Sequence, residues 1–413
     1  MLATALQPRQ RWLSVFGLAL FFGYLLFNSH FYWQGYQLVE AGKEPRFTDY
    51  TSTYAASLLL QREPAANLYV TERMFAAEVD AAHAVYPGQL TQQQAEGHGF
   101  ARWLYPPIFA LFCLPLALLP YIPSLVAWLS ITAIPYIATL ILTLPKRSGL
   151  ILVLAAPPTF YNIQYGQTGF LSAGLIGLGL TLLRSQPTLA GVLIGCAAFK
   201  PSLGILIPIA LAAGGYWWSF TTATSVVISL IAASIIAFGL DPWLAFIGTS
   251  GYSFDGFGRN LYNFKAMVTP LGASRMLGAS INTAWIIQSL AALLSVIAVI
   301  WAWRQPAEGR SGLQASVLCC ASLLFTPMAY LYDMALIVPA AGWLLADMLQ
   351  RDYRRYELTG LILAMAIILP MFEIAHQTGV QLGPLPAMIL MLLSLNRLKR
   401  FSPSAASNSQ PRS

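Results

Sequence analysis

The residue best suited to chemistry in this chain is Asp49, which follows Arg46-Phe47-Thr48 in the first polar stretch of the sequence. A carboxylate can take a proton from a hydroxyl group if partial burial raises its pKa toward the working pH. Thr51 or Ser52 is a good cap for a helix that continues through the apolar stretch after it, and such a helix would lie at a membrane surface. Asp49 could equally be the helix cap itself, and the spacing does not separate these two interpretations.

Lys200 is the second candidate, because Lys200-Pro201 interrupts a long apolar stretch, LAGVLIGCAAF before it and SLGILIPIAL after it. A lysine inside such a stretch is costly, and its usual role is functional. As a compact point charge, it could pair with a phosphate group. The structural alternative is that the side chain extends from a helix end to the membrane surface.

Other polar residues are weaker candidates. Tyr105-Pro106-Pro107 opens the next apolar segment and could be only a turn, since a residue before proline avoids helix. Gln167 follows Gly166 between two apolar runs. Tyr332-Asp333 interrupts a later run, where Asp333 is either a helix cap or a substrate contact.

Arg259 and His376 are candidates for phosphate binding. Arg259 lies in the segment GYSFDGFGRNLYNFK, where it could bind a phosphate or a sugar, or simply pair with Asp255 at little energetic gain. His376 follows Glu373 at a spacing of three residues. The two could form an interfacial pair or a site that binds phosphate or handles a proton.

The elements that position these residues are membrane helices. The chain is 57% hydrophobic and only 9% charged, whereas soluble proteins have about 25% charged residues. The net charge of +7 comes from short clusters between apolar runs, which is typical of topology signals and not of a nucleic-acid interface. We therefore predict an all-α membrane protein with about twelve transmembrane helices. The four cysteines lie in apolar runs and are interpreted as buried thiols.

Loop charges predict the topology. Short loops rich in Lys and Arg are cytoplasmic, which places both termini inside. A single integral membrane domain is expected over residues 1–401, followed by a disordered tail, 402–413. Residues 30–105 form a first extracytoplasmic loop with juxtamembrane helices and carry eight of the sixteen acidic residues. Residues 240–281 form a second outer loop. This topology brings the candidate residues to one extracytoplasmic face.

Five blocks in this order resemble a known family. They are FTDYTSTYAASLLL, YPPIFALFCLPLALLP, YNIQYGQTGFLSAGLIGLGL, LAGVLIGCAAFKPSLGILIPIAL and YLYDMALIVPA. The chain resembles glycosyltransferase family 87 over about residues 12–350. The resemblance implies a GT-C fold, in which many transmembrane helices carry an active site at the extracytoplasmic face of a bacterial plasma membrane.

The resemblance also implies a reaction. A hexose, with mannose as the first candidate, would move from a polyprenyl-phosphate-sugar donor to a lipid or glycan acceptor with inversion. Asp49 would be the general base. Donor phosphate would be bound by Lys200, Arg259 and His376, and substrate by Tyr50, Tyr105, Gln167, Tyr332 and Asp333. Because Tyr50 follows Asp49 where many GT-C enzymes have a second acid, we expect no metal and no cofactor.

Two other functions compete with this interpretation. A transporter or flippase of lipid-linked sugars would also be apolar, but such proteins often contain internal repeats, and the two halves of this chain show no convincing repeat. A polysaccharide polymerase or ligase would use a diphosphate donor. It would need a large outer loop late in the chain, whereas the large loop here is the first.

Overall fold

The computed structural model describes residues 7–43, 46–96, 102–259 and 261–400. Within these residues the chain forms helices and no β-strand, apart from one isolated antiparallel bridge between Met267 and Tyr330. The prediction of an all-α protein is therefore confirmed for the described residues. The predicted tail, 402–413, lies outside them.

The first half of the chain alternates long helices with short ones. The helices are α1 Gln7–Glu40, α2 Tyr50–Leu60, α3 Thr71–Val85, α4 Gln92–Glu96, α5 Pro107–Cys113, α6 Tyr121–Thr143, α7 Lys146–Ala155, α8 Pro157–Tyr165, α9 Gly169–Leu182 and α10 Pro187–Cys196. Short 3₁₀ turns at Ala65–Tyr69, Leu116–Leu118 and Ala197–Phe199 connect some of them.

The second half continues in the same manner. The helices are α11 Pro201–Gly204, α12 Leu206–Ala213, α13 Trp217–Phe238, α14 Asp241–Gly258, α15 Pro270–Met276, α16 Ile281–Arg304, α17 Ser311–Phe325, α18 Ile337–Gln350, α19 Arg355–Ile368, α20 Met371–Thr378 and α21 Pro384–Arg400. A 3₁₀ turn, Leu331–Leu336, leads directly into α18.

Five described helices are long and apolar enough to cross a membrane. They are Val15–Glu40, Tyr121–Thr143, Trp217–Phe238, Ile281–Arg304 and Leu331–Gln350, the last combining the 3₁₀ turn with α18. The pair α19–α20, bent by 63°, would make a sixth. The protein is therefore a multi-pass membrane protein, but the predicted twelve spans are not confirmed. The predicted span at about 148–163, for example, consists of two short helices, because a break at Ala156-Pro157 separates α7 from α8.

Both predicted outer loops contain helices. Most residues of α2 are buried, and it packs against the segment that follows α5. Tyr54 Oη donates to Leu119 O over 3.0 Å, and Ser57 Oγ donates to Leu114 O over 3.2 Å. Protein atoms therefore cover most of this helix. In the second loop, α14 and α15 occupy most of residues 240–281.

Helices α6 and α9 pack closely against each other through glycines of α9. A Cβ atom at Gly174 would lie 2.6 Å from the backbone nitrogen of Tyr136, and one at Gly177 would lie 3.0 Å from a side-chain carbon of Thr139. Small residues allow membrane helices to approach closely, where van der Waals contact replaces the hydrophobic effect. This contact fixes α9 against α6, and thereby the segment just before α9 that contains Gln167.

A buried ionic network joins three helices in the last part of the chain. The guanidinium of Arg397 on α21 is fully buried and donates to Asp347 on α18 over 2.6 Å and to Glu357 on α19 over 2.8 Å. Asp347 also pairs with Arg351. Each carboxylate thus has an arginine partner, which is the condition under which buried charges are tolerated.

Loss of this network should lower stability. Replacing Arg397 with methionine would leave two buried carboxylates without their shared partner, at a cost of about 3–5 kcal/mol. We expect a lower temperature of thermal aggregation for purified Arg397→Met protein in detergent. Lys399→Met, which changes an exposed cation on the same helix, is the control and should behave like wild type. Equal temperatures for both variants would contradict a stabilising role of the network.

Candidate active site

Asp49 is held in place by its neighbours on both sides. The hydroxyl oxygens of Thr48 and Thr51 lie 3.1 and 3.0 Å from Tyr121 Oη, and Tyr50 Oη lies 2.6 Å from Ser124 Oγ. Asp49 itself occupies the N-cap position of α2, but its side chain makes no capping hydrogen bond. The start of α6 therefore anchors the residues around Asp49 and leaves its carboxylate available for another role.

The Asp49 carboxylate lies in a recess. It keeps solvent-accessible surface although protein atoms surround it. Burial raises the pKa of this carboxyl group to about 6, and a hydrogen bond with the Gln167 side chain opposes the increase. A carboxylate that is both accessible and partly desolvated has the properties required of a general base near neutral pH.

Tyrosines line this recess. Asp49 interacts electrostatically with Tyr105, Tyr165, Tyr330 and Tyr332. Asp333 interacts with three of the same residues, namely Tyr105, Tyr330 and Tyr332. The two carboxylates therefore border one site, although they lie far apart in the sequence. Tyrosine rings with hydroxyl groups provide both apolar surface and hydrogen-bonding capacity, as a sugar-binding site requires.

Gly166 shapes the segment that contains Gln167. It ends α8 in the left-handed conformation with φ of 64°, which glycine adopts without steric cost. A Cβ atom here would lie 2.6 Å from Tyr50 Cβ, so only glycine lets this turn approach the start of α2. Trp128 Nε1 donates to Gly166 O over 3.1 Å. The turn thus brings Gln167 next to Asp49.

Tyr105 approaches the same segment from the other side. Its hydroxyl donates to Gln167 Oε1 over 3.1 Å, and its ring packs against Phe109 with centroids 4.3 Å apart. The extended conformation of Pro106, with ψ of 159°, precedes helix α5. The Tyr-Pro-Pro motif is therefore a turn, as its structural interpretation predicted, and it also directs Tyr105 toward Gln167.

Lys200 and Asp333 form a buried ion pair. Lys200 Nζ lies 2.5 Å from Asp333 Oδ1, and both side chains are almost completely buried. Lys200 follows the 3₁₀ turn at the end of α10 and precedes α11, so the predicted break in the apolar stretch is present. The ammonium group also lies 4.7 Å from the centre of the Tyr332 ring. Lys200 is therefore a buried cation whose charge Asp333 already balances.

Asp333 also organises the turn that carries the tyrosines. Its Oδ2 accepts a hydrogen bond from the backbone N–H of Tyr330 over 3.0 Å. The rings of Tyr330 and Tyr332 stack with centroids 5.9 Å apart. Asp333 thus takes part in capping this turn, in which Tyr330 is the N-cap residue, and its contact with Lys200 adds a second role that the sequence did not indicate.

Asn162 and Gly169 are two site residues that the sequence analysis missed. Asn162 is fully buried; its Nδ2 donates to Tyr332 O over 2.9 Å, and its Oδ1 accepts from Phe170 N over 3.1 Å. A Cβ atom at Gly169 would lie 2.1 Å from Tyr332 O. Both residues hold the Tyr332 turn against α8 and α9. The position of Asn162 in an apolar run was the sequence signal that could have identified it, since a polar residue in such a run usually has a specific partner.

Three predicted site residues lie elsewhere. Tyr50 is fully buried and its hydroxyl is engaged by Ser124, so it has no surface open to a substrate in this structure. Arg259 is exposed beyond the end of α14. His376 is exposed, and its Nδ1 lies 3.2 Å from Lys265 Nζ. Among the described residues, neither Arg259 nor His376 contacts the group around Asp49.

Lys265 places His376 near the edge of the site. The carbonyl of Ala266, the residue after Lys265, accepts from Leu331 N over 3.2 Å, and Val268 N donates to Ala329 O over 2.9 Å. The segment that carries Lys265 is therefore paired with the segment that carries Tyr330. The Lys265–His376 pair accordingly borders the site from outside the buried group.

The site and the apolar helices together define a multi-pass membrane protein with a polar, tyrosine-lined recess that contains one accessible carboxylate and one buried ion pair. The model of glycosyltransferase family 87 matches residues 103–327, more than half of the 413-residue chain. The chain belongs to glycosyltransferase family 87 and is a glycosyltransferase. Neither a curated protein nor a solved structure matches it.

The matched region covers only part of the site. It includes Tyr105, Gln167 and Lys200, but begins after Asp49 and ends before Asp333. Any role for the two carboxylates therefore depends on where the structure places them. Membership of a glycosyltransferase family, which implies sugar donor and acceptor substrates, favours an enzyme over the transporter or flippase that the composition also allowed.

Gly169→Ala should disturb the site through backbone displacement. The new methyl carbon would lie 2.1 Å from Tyr332 O and 2.3 Å from Asn162 Oδ1. At least one of these atoms would therefore have to move. We expect lower thermal stability in detergent and lower sugar transfer. Gly23→Ala is the control, since nothing lies within 4 Å of a Cβ atom there, and alanine is the better helix former. A Gly169→Ala protein with wild-type stability and transfer would contradict the packing described for Tyr332.

Proposed function

We propose that this enzyme transfers a hexose, with mannose as the first candidate, from a polyprenyl-phosphate-sugar donor to a hydroxyl group of a lipid or glycan acceptor. The observation that carries the proposal is the accessible Asp49 carboxylate, whose pKa is raised to about 6, in a tyrosine-lined recess that also borders the Lys200–Asp333 pair. A lipid donor is consistent with a site placed among helices that can span a membrane.

The proposed reaction is a single inverting displacement. Asp49 accepts the proton of the acceptor hydroxyl group while that oxygen attacks C1 of the donor sugar. The bond between C1 and the phosphate oxygen breaks, and the lipid phosphate leaves with the bonding electron pair. A phosphate group is a good leaving group, so protonation of its oxygen by an acid is not required.

Lys200 contributes to this reaction as a positioned cation. Its ammonium group carries further N–H donors beyond the one directed at Asp333, and they are available to a phosphate oxygen in the recess. Such a donor stabilises charge that develops as the phosphate leaves. Lys265 and His376, at the edge of the site, would bind the phosphate as it enters or leaves. Among the residues that the structure describes, Arg259 makes no contact that supports its predicted role in phosphate binding.

We propose that the reaction takes place at the extracytoplasmic face of a bacterial plasma membrane. Short basic loops predict that the ends of the chain are cytoplasmic, and the first polar loop, with Asp49, then lies outside. The electrostatic influence of Asp49 on the tyrosines indicates that the other site residues would lie on the same side.

Loss of the base should abolish transfer with little change in stability. Asp49→Asn removes the proton acceptor, which usually reduces rate by about 10²–10⁴-fold. Because burial disfavours the charged form of Asp49, the neutral asparagine should be at least as stable at neutral pH. The measurement is transfer of radiolabelled mannose from polyprenyl-phosphate mannose to membrane acceptors.

Asp80→Asn is the matched control, because Asp80 belongs to the same loop and forms an exposed ion pair with Arg62. This variant should transfer sugar at the wild-type rate. Full activity of Asp49→Asn would refute the assignment of the base. Movement of the intact donor lipid across the membrane without formation of a glycosidic bond would refute the transferase mechanism itself.

A further inference from the structure

We propose that Arg310 is the centre of a binding site for the phosphate group of an anionic phospholipid. The site lies at the start of α17, whereas the other end of that helix leads to Tyr330 and the recess. Helix α17 has 15 residues and is therefore about 22 Å long. The two sites are thus well separated, and the inference does not depend on the proposed reaction.

Arg310 is a buried cation without a counter-ion. Its side chain is only 8% exposed, and Nη1 is enclosed by protein but has no hydrogen-bond partner. The other buried cations in the described part of the chain, Lys200 and Arg397, each contact a carboxylate. Burying a charge without a partner is costly. An arginine held in this way therefore indicates a site for an anion.

The carboxylates near Arg310 do not balance its charge. Asp347 accepts hydrogen bonds from Arg351 and Arg397, and the second carboxylate of that network also accepts from Arg397. Glu308 belongs to the same turn as Arg310, but its side chain is exposed and forms no ion pair with the residues that the structure describes. Positive charge is therefore in excess at this end of the protein.

Two further guanidinium groups contact the turn that contains Arg310, residues 307–310. The backbone N–H of Arg310 donates to Ala307 O over 3.0 Å, and Arg184 Nη1 donates to the same oxygen over 3.2 Å. Arg351 Nη2 donates to Gly309 O over 2.6 Å. Arginines from three separate loops thus meet at one turn. The planar guanidinium group, with its five N–H donors, matches the geometry of a phosphate group.

The start of α17 adds to this positive potential. No side chain caps its N-terminus, and the first N–H groups of a helix favour an anion. The turn is also held in place before any ligand binds. Gln314 Nε2 donates to Ala302 O over 3.1 Å and to Gln305 O over 2.9 Å, while Trp303 Nε1 donates to Gln314 O over 3.1 Å. These bonds fix the end of α16 against the start of α17.

Aromatic residues place this end of the protein at the level of the lipid headgroups. Trp217 and Trp218, at the start of α13, are exposed, and the ring of Tyr216 lies 5.7 Å from that of Trp303. Exposed tryptophans are typical of the membrane–water interface. Basic pockets between membrane helices on the cytoplasmic side, where the loop charges place this turn, bind anionic lipids. These features favour a lipid phosphate over a free phosphate ion.

The experiment measures the temperature of thermal aggregation of the purified full-length protein in detergent. Phosphatidylglycerol, phosphatidylcholine or inorganic phosphate is added at the same concentrations. We expect phosphatidylglycerol to raise the temperature, because a ligand that binds the folded state stabilises it, and the other two to have little effect. Arg310→Met should need about tenfold more phosphatidylglycerol for the same increase, which corresponds to the loss of one hydrogen bond to a charged group.

The variants distinguish lipid binding from a structural role of Arg310. In detergent without added lipid, Arg310→Met should be at least as stable as wild type, because it removes an unpaired buried charge. Arg184→Met changes an exposed residue and should weaken the response to phosphatidylglycerol without affecting folding. Arg304→Met, which removes an exposed cation at the end of α16, is the control and should respond like wild type.

Three results would overturn the inference. The first is an equal increase with phosphatidylcholine or inorganic phosphate, which would rule out specific recognition of an anionic lipid. The second is a wild-type response of Arg310→Met to phosphatidylglycerol. If Arg310→Met does not fold, a wild-type response of Arg184→Met is the third.

Discussion

The interaction on which the site depends is the buried ion pair between Lys200 and Asp333. The two residues are 133 positions apart and 2.5 Å from each other, in a part of the protein where an unpaired charge would be very costly. The pair fixes the break between α10 and α11 against the turn before α18. Through its other oxygen Asp333 also accepts a hydrogen bond from the Tyr330 backbone. One carboxylate therefore fixes the positions of both the Lys200 ammonium group and the turn that carries the tyrosines.

The segment between Asn162 and Gly169 connects this ion pair to the base. Asn162 donates to the Tyr332 carbonyl, whereas Gly166 lies against Tyr50 at the start of α2, beside Asp49. The site thus has two functionally different walls. One contains a balanced pair that can offer hydrogen bonds without adding net charge. The other contains a single carboxylate whose pKa is controlled by burial and one amide, which is suitable for proton transfer to and from a hydroxyl group.

The sequence predicted the components of the site better than their contacts. Lys200 and Asn162 are polar residues in apolar runs, and the cost of burying them predicts a specific partner, although only Lys200 was recognised. Which partner it is depends on how distant segments pack, and no local pattern contains that information. Tyr50 shows the same dependence, because its partner Ser124 lies 74 positions further along the chain. The predicted twelve spans are not confirmed, because some apolar stretches, such as that of α7 and α8, are broken by proline into helices shorter than a bilayer is thick.

The most direct test of this account is a double-mutant cycle on the ion pair. Thermal stability in detergent is measured for Lys200→Met, Asp333→Asn and the double variant, where asparagine preserves an acceptor for the Tyr330 N–H. The account predicts that each single variant is destabilised by about 3–5 kcal/mol, because one buried charge is left alone, and that the double variant recovers most of the loss. Additive destabilisation, or single variants as stable as wild type, would contradict it.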